Sequence, residues 1–344
     1  MIHAAFRDLL WRRRRYLISM MGCGLVFGMS LLMSGLSSAF GVELDNTIDS
    51  LGAERGFVMP SGLGGPFSGS TPFSVDSLPA GATPVMYLPQ RAIGGGGDGV
   101  VMSVFGVPRG SGSEPSVIDG RSLERAGEVL VADRSTLATG STVEIGGASY
   151  EVVGRVGPMS LFGGNLGVVM DLPEFQDQFL GGAPLVTAGV IDEGFEGAPS
   201  GFQVVSPTEA REDGLAALGS ATQSISFITG LLWGVAALII ASVVFLSALE
   251  RTRDFAVFKA TGTSTSAMAA GLAMQAVILA LAAALFGVGL GLVLAPTFPM
   301  PVEVAGSSVG LLLVVALVVG LFASLFGLRR AVSVEPALAF GGAT

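Results

Sequence analysis

The chain has 344 residues, of which 50% are hydrophobic and 13% are charged, and its formal net charge is −9. This composition is typical of an integral membrane protein that carries one sizeable polar domain. With one cysteine and one histidine, the chain lacks the residues for an internal disulfide, a cysteine-based metal site or histidine-dependent nucleophilic catalysis.

Residues 1–16 have the pattern of a short amphipathic helix that lies along the cytoplasmic surface of a membrane. One helical face is apolar, and an arginine cluster at 12–15 follows it. The apolar face is formed by Ile2, Ala5, Phe6, Leu9 and Leu10. Because arginines at a membrane surface contact anionic headgroups, we predict that this segment binds membrane lipids. A targeting signal is the weaker interpretation.

Four segments are apolar over the roughly 20 residues that a helix needs to cross a membrane. They lie at 17–40, 225–249, 266–295 and 307–328, with a short external loop at 296–306. The first segment is longer than the core of a cleaved signal peptide, so Cys23 is interpreted as a buried thiol within a span. Roughly 180 residues separate the first two spans, which is enough for an independent domain at 41–224.

Within 41–224 the apolar runs become short and alternate with polar residues, as in β-strands. Strands are predicted at 128–133, 141–145, 150–156, 168–170, 186–191 and 203–205, and glycine-rich loops at 60–72 and 94–99. Leu44, Ile48 and Leu51 keep helical spacing after the first span, and 207–220 begins with helix-start residues and continues towards the second. We therefore expect a mixed α/β domain with two helical stalks.

Two short motifs match catalytic or nucleotide-binding patterns, and both are interpreted as chance. Gly94, Gly96 and Gly99 have the spacing of a dinucleotide fingerprint, but strand-like residues follow them instead of a helix. Gly306–Gly310 matches a hydrolase nucleophile elbow, yet the only histidine, His3, is predicted on the other side of the membrane. No Gly-Lys-Ser/Thr loop is present. We therefore predict no catalytic, cofactor-binding or metal site, and no enzyme activity in this chain.

The four predicted spans contain no Asp, Glu, Lys, Arg or His. Because charges inside a membrane are usually kept for ion or proton transfer, their absence argues against a channel or a proton-coupled carrier. We expect Gln275, the most polar residue there, to bond a neighbouring helix or its own backbone. Three pairs have the small-xxx-small spacing that allows close helix contact: Gly24 and Gly28, Gly287 and Gly291, and Gly320 and Ser324.

The segment 250–265 is charged and aromatic, and it separates the second span from the third. Phe255 and Phe258 are three residues apart, so they share one face of a helix, with Arg251, Arg253 and Lys259 around them. We predict that this segment is a cytoplasmic helix that docks into a groove of a partner protein. An ordinary loop whose cations extend to the membrane surface is the alternative.

The distribution of charge predicts the orientation in the plasma (inner) membrane. The segments 1–16, 250–265 and 329–344 hold ten Arg and Lys and four Asp and Glu, whereas the rest of the chain holds eight and twenty-three. By the positive-inside rule, both termini and 250–265 are cytoplasmic and the domain at 41–224 is external.

The segment ERTRDFAVFKATGTS at 250–264 resembles the coupling helix of MacB/FtsX-like permeases of ATP-binding-cassette transporters, the mechanotransmission class (type VII). EVLVADRSTLATGSTVEIGGASYEVVGRV at 128–156 resembles the periplasmic-core segment of that family, and RRAVSVEPALAF resembles its C-terminal tail. The likeness covers essentially the whole chain, and it is closest to single-polypeptide permeases of high-GC Gram-positive bacteria. The residues assigned to ATPase coupling are Glu250, Arg251, Arg253, Asp254, Phe255, Phe258, Lys259 and Gly262.

The resemblance implies an α-helical membrane protein with four transmembrane helices and a MacB-type α/β extracytoplasmic domain between helices 1 and 2. It also implies a separate ATPase subunit in two copies, which binds ATP and Mg, and a permease dimer, with a homodimer favoured over a heterodimer. This chain itself is expected to hold no cofactor and to bind no nucleic acid. An extracytoplasmic protein partner is left open.

The function implied is a permease subunit that transmits ATP-driven motion of the ATPase to the external domain. We expect it to serve export or extraction of a lipophilic or peptide substrate. An FtsX-like regulator that activates a cell-wall hydrolase without transport is the alternative, and amino-acid (glutamine) transport ranks lower. These three functions differ in substrate and in direction of transport, which the sequence leaves open.

Overall fold

The computed structural model describes residues 13–68, 71–93, 99–250, 252–297 and 302–332. For 13–15, 93, 99, 253, 255, 258, 259 and 326–332 it describes the backbone alone. The chain divides into two compact units. The helical unit comprises residues up to Ser38 together with those from Thr222 onward, and the sheet unit comprises Ala39–Ala221.

The helices, numbered in chain order, include four that are long and apolar enough to cross a membrane. They are α1 (Arg13–Ser50), α2 (Leu172–Leu180), α3 (Pro207–Ala217), α4 (Gly219–Glu250), α5 (Thr252–Ala260), α6 (Thr265–Leu294) and α7 (Gly306–Val332). The four candidate spans among the described residues are Tyr16–Ser50, Gly219–Glu250, Thr265–Thr297 and Gly306–Leu325. Only the last four residues of the predicted surface helix 1–16 are described, and they belong to α1.

Helix α1 is continuous from Arg13 to Ser50, so its apolar part and the part that carries Leu44 and Ile48 form one helix. The other predicted stalk is wrong in one respect, because the helix from Pro207 does not run on unbroken. Leu218 leaves the helical conformation (φ −94°, ψ 8°), and its N–H donates to the Leu215 carbonyl in a tighter turn. Gly219 and Ser220 follow, and both residue types favour helix continuation less than alanine does.

The sheet unit is built on strands whose pairings form a closed ring. The strands are β1 (Phe57–Pro60), β2 (Phe73–Ser74), β3 (Ala82–Ile93), β4 (Gly99–Val107), β5 (Val117–Gly120), β6 (Glu128–Ala132), β7 (Thr142–Ile145), β8 (Ala148–Val156), β9 (Ser160–Leu161), β10 (Asn165–Asp171), β11 (Leu185–Val186), β12 (Ala188–Ile191) and β13 (Phe202–Val205). Among the described residues, β3 pairs with β4, β4 with β10, β10 with β6, β6 with β8, β8 with β7, and β7 with β3 again.

Two apolar clusters fill the sheet unit. One contains Leu44 and Ile48 of α1, Leu51 just beyond its end, and Ala210 of α3, so both helices bury an apolar face against the sheet. The other gathers inward residues of the ring and is joined by Leu172 and Phe175 of α2. In β7 the alternation exposed–buried–exposed–buried places Val143 and Ile145 inside, as the period of two requires. The predicted fold class, four spanning helices with an α/β domain between the first and second, is confirmed.

Candidate functional site

The predicted docking segment folds as helix α5 between α4 and α6. At its start, the Thr252 hydroxyl donates to the Leu249 carbonyl at 2.6 Å. At its end, the Thr261 N–H donates to the Val257 carbonyl at 2.9 Å, and Gly262 turns the chain with a φ of +89°, a conformation that favours glycine. Ser264 then caps α6 by accepting the Ala267 N–H at 3.3 Å. The segment is therefore a defined short helix that ends at the turn made by Gly262.

Of the residues assigned to ATPase coupling, Glu250 and Asp254 are exposed. Arg251 lies outside the described residues, and positions 253, 255, 258 and 259 belong to α5 by their backbone alone. Ala256 is fully buried, which identifies the inward side of α5, whereas Val257 is 45% exposed. Successive residues of an α-helix are about 100° apart, so positions 254 and 258, two residues before and after Ala256, lie on nearly the opposite side of α5.

The glycines of the first two small-residue pairs meet at one crossing of α1 and α6. A Cβ on Gly287 would lie 2.7 Å from the Gly24 carbonyl oxygen and 2.8 Å from the Gly28 nitrogen. A Cβ on Gly28 would lie 3.1 Å from the Gly287 carbonyl oxygen, and one on Gly291 would lie 3.1 Å from the Leu31 side chain. The distances at Gly287 are too short for a side chain, and those at Gly28 and Gly291 leave little room for one, so the two backbones touch directly at this crossing.

The third pair contributes to a second close contact, between α7 and α6. A Cβ on Gly320 would lie 2.9 Å from the Val277 Cα and 3.1 Å from the Ala276 carbonyl oxygen. Ser324 is buried, and its hydroxyl donates to the Leu321 carbonyl of its own helix at 2.6 Å. Gly320 therefore permits the approach, whereas the hydroxyl of Ser324 is satisfied within α7.

Three buried polar side chains connect α1, α4 and α6. The Tyr16 hydroxyl lies 3.1 Å from the Ser247 hydroxyl, and the Gln275 amide donates to Ser247 at 3.3 Å and to Tyr16. All three are at most 6% exposed. The expectation that Gln275 bonds a neighbouring helix is confirmed. Tyr16 and Ser247 were not predicted, because hydroxyl side chains are common in spans and only the fold brings these two to the amide.

Helix α1 also carries polar contacts towards the other end of the helical unit. The Trp233 indole N–H donates to the Ser30 hydroxyl at 3.1 Å, and the Ser34 hydroxyl donates to Ser308 at 3.4 Å. The Glu303 N–H donates to the Gly35 carbonyl at 3.2 Å. Helix α1 is thus bonded through its side chains to α4, α6 and α7.

Carboxylates in the sheet unit hold loops by accepting backbone N–H groups. Eight described residues do so: Glu43, Glu114, Asp171, Glu174, Asp192, Glu209, Asp213 and Glu128. Hydrogen bonds from the Arg121 guanidinium and from the N–H groups of Glu124 and Arg125 lower the pKa of Glu128 to about 2. Part of the acidic excess of this unit therefore has a structural use.

Within the part of the chain that the structure describes, the two short motifs, at 94–99 and 306–310, lack the secondary structure that a nucleotide site or a nucleophile elbow requires. Gly99 begins strand β4, so no described helix follows the glycine-rich stretch as a dinucleotide site would require. Gly306 begins helix α7, whereas a nucleophile elbow lies between a strand and a helix. Among the described residues, no three His, Cys, Asp or Glu side chains are grouped so that they could hold a metal ion.

Comparison with known proteins places these features in one family. Residues 226–336 match the family model of the FtsX-like permease C-terminal region. Uncharacterized ABC transporter permeases of Mycobacterium bovis and Mycobacterium tuberculosis are 41% identical over 350 residues, covering 99% of this chain and 100% of theirs. A second uncharacterized ABC transporter permease of Mycobacterium tuberculosis is 42% identical over 353 residues, with the same coverage.

Two solved structures are similar in their extracellular parts. The extracellular domain of the noncanonic ABC-type transporter YknZ from Gram-positive bacteria is 14% identical, covers 43% of this chain and 98% of its own, and has a TM-score of 0.31. The periplasmic region of MacB from Actinobacillus actinomycetemcomitans is 14% identical, covers 51% of this chain and 87% of its own, and has a TM-score of 0.32.

Proposed function

Since the chain belongs to the FtsX-like permeases of ABC transporters, we propose that it transmits force from a separate ATPase to its external domain instead of forming a path for a substrate. An ABC permease works with an ATPase subunit, and the four apolar helices make this chain a membrane protein with an external domain.

One observation carries the proposal: a single unbroken helix, α1, contributes residues to both units of the chain. Its apolar part is hydrogen-bonded to other helices, for example through Ser30 to Trp233. Its later part, with Leu44 and Ile48, is buried against the sheet. The uncharged spans support the same interpretation, because the polar side chains of Tyr16, Ser247 and Gln275 are directed at one another. Such helices offer little to a polar substrate and can move as stiff rods.

In the proposed complex, α5 is the contact with the ATPase. Two ATPase subunits, each with bound ATP and Mg, face two copies of this permease, with a homodimer as the favoured form. The termini and α5 lie in the cytoplasm, and closure of the ATPases brings the two α5 helices together. The work is done outside, in export or extraction of a lipophilic or peptide substrate.

The docking role of α5 is tested by replacing both predicted anchors, Phe255→Asp with Phe258→Asp. We expect the double variant to lose co-purification with the ATPase, because a carboxylate would be placed against an apolar groove. The matched control is Ile118→Asp with Val204→Asp, which alters two exposed apolar residues of the sheet unit. Normal co-purification of the Phe255 and Phe258 variant, with an unchanged elution profile, would reject the assignment.

The substrate class is tested by measuring ATP hydrolysis of the reconstituted permease and ATPase while candidate molecules are added. Stimulation by lipids or by a lipophilic peptide supports export or extraction. Stimulation by a purified cell-wall hydrolase alone would instead support the regulator function, and stimulation by glutamine would overturn the proposal.

A further inference from the structure

A short turn of the sheet unit is held by three side chains that lie along about two turns of helix α1. The turn is formed by Pro158–Gly164, which includes β9 and leads into β10. The N–H of Gly163 donates to the Glu43 carboxyl at 3.1 Å, and the Thr47 hydroxyl donates to the Ser160 carbonyl at 2.9 Å. The Ser50 hydroxyl reaches the Pro158 carbonyl at 3.5 Å. Because positions 43, 47 and 50 share one helical face, α1 holds this turn along its length.

Two of these three residues of α1 are buried, and Glu43 is an unusual choice for a merely structural contact. Thr47 is 0% exposed and Glu43 is 5% exposed. One carboxyl oxygen of Glu43, Oε1, is buried without a hydrogen-bond partner among the described residues. A buried polar atom without a partner costs free energy, and this cost at Oε1 comes with the bond that the other carboxyl oxygen makes to the Gly163 N–H. The carboxyl group is therefore explained better by a role in positioning the turn than by stability.

The turn itself has a strained backbone. Phe162, Gly163 and Gly164 have φ values of 54°, 87° and 97°. Phe162 is the only non-glycine residue with a positive φ in the described part of the chain, and this conformation costs of order 1–3 kcal/mol. Its ring packs 6.2 Å from the ring of Tyr87, and Glu43 holds the next N–H. Such a conformation persists only where its surroundings impose it.

Strand β10 carries any movement of the turn to the centre of the ring. It pairs in parallel with β4 from Gly167 to Asp171 and antiparallel with β6 through Val168 and Val169. Helix α1 also packs Leu44 against Gly214 of α3. The Arg211–Asp45 ion pair between these two helices is partly exposed, and an exposed pair contributes only about 0–1 kcal/mol.

We propose that the turn Pro158–Gly164 is the input through which α1 moves the sheet of the external domain, and that Glu43 is the positioning residue of this input. This inference rests on the proposed transmission function and assigns it a specific route. A shift of α1 pulls the turn through three hydrogen bonds, and β10 passes the displacement to β4 and β6 on either side.

The test is hydrogen exchange of the full permease in complex with its ATPase, with and without a non-hydrolysable ATP analogue and Mg. Glu43→Leu removes the acceptor of the Gly163 N–H while keeping a side chain of similar length. Glu43→Gln keeps a carbonyl oxygen in its place and is the conservative rescue. Asp49→Leu is the matched control, because Asp49 is an exposed acid of the same helix.

In the wild-type complex we expect nucleotide to change the exchange of amides at 158–171. Glu43→Leu loses this nucleotide-dependent change but keeps the change in the spans, whereas Glu43→Gln and Asp49→Leu behave as wild type. A normal response of 158–171 in Glu43→Leu would overturn the inference and leave the proposed function standing. A wild-type complex without any nucleotide response in the sheet unit would overturn the proposed function itself.

Misfolding of Glu43→Leu is detected by faster exchange in β4 and β6 without nucleotide. In that case Thr47→Val is the test of the inference, because it keeps the shape of the side chain and removes only the hydrogen bond to the Ser160 carbonyl. We expect this variant to fold and to respond less than wild type at 158–171. A full response would overturn the inference.

Discussion

The helical unit and the sheet unit solve the same problem, fixing one chain segment against another, by opposite means. In the helical unit, backbones approach until glycines such as Gly28 and Gly287 touch. In the sheet unit, carboxylates such as Glu128 and Asp213 hold loops by accepting backbone N–H groups. The difference follows from the solvent, because a charge is too costly inside a membrane and affordable beside water.

This comparison changes how the acidity of the sheet unit is interpreted. Acidic residues outnumber basic ones in this unit, yet eight of its carboxylates already accept hydrogen bonds from backbone N–H groups of the same unit. Loops rich in glycine need such acceptors, because they supply few side chains for packing. The acidic excess is thus explained in part by folding, before any ligand is considered.

We expect the largest loss of stability from Gly287→Leu, which disrupts the close backbone contact in the helical unit. The new side chain would collide with the backbone of Gly24 and Gly28, at a cost of about 3 kcal/mol. Detergent unfolding followed by tryptophan fluorescence measures it, since Trp233 lies in this unit. Gly289→Leu is the control, because nothing lies within 4 Å of a Cβ there. Equal stability of the two variants would contradict the close contact.

In the sheet unit, Glu128→Gln weakens the hydrogen bonds from Arg121 and from two backbone N–H groups. We expect a loss of about 1–3 kcal/mol, seen as faster hydrogen exchange at 121–132. Glu124→Gln is the control, because Glu124 is 62% exposed and lies 3.7 Å from Arg121. A similar loss in both variants would argue against the organising role of Glu128.

The same carboxylate predicts a dependence on pH. Because the folded pKa of Glu128 is lowered to about 2, its contribution is present above the ordinary value of about 4.5 and is lost as the pH falls from there towards 2. We expect the protection of amides at 121–132, corrected for the intrinsic pH dependence of exchange, to fall over this range in the wild type and to change less in Glu128→Gln. An identical pH profile for the two proteins would remove Glu128 as the cause.

We expect the smallest loss of stability at the buried polar cluster of the helical unit. Gln275→Leu removes its bonds to Tyr16 and Ser247, and interhelical bonds of this kind contribute about 0.6 kcal/mol on average. The unfolding assay should therefore show a loss near this size. Ser242→Ala is the control, because Ser242 is exposed and bonds only its own helix. A loss as large as that of Gly287→Leu would mean that polar bonds, and not backbone contact, hold the helices.

Several elements of the sheet unit escaped the sequence analysis for identifiable reasons. Strand β3 contains Pro84 and Pro89, which interrupt the expected pattern, and it turns within the sheet from β12 to β4. Helix α2 was missed although its signals are present: Pro173 at its start and Gly181 in a left-handed conformation at its end. The predicted strand at 186–191 is divided into β11 and β12.

The amino-acid pattern alone was enough to predict the four spans, the position of the α/β domain between the first two, and the presence of close-packing glycines. Each depends on neighbouring residues alone: the length of an apolar run, a change of pattern, or a spacing of four. The contacts of Gly28 with Gly287, of Gln275 with Tyr16 and of Glu43 with Gly163 became visible only in the folded chain. These partners lie more than a hundred residues apart, and the fold brings them together because no local pattern specifies which distant segment each helix face will bury.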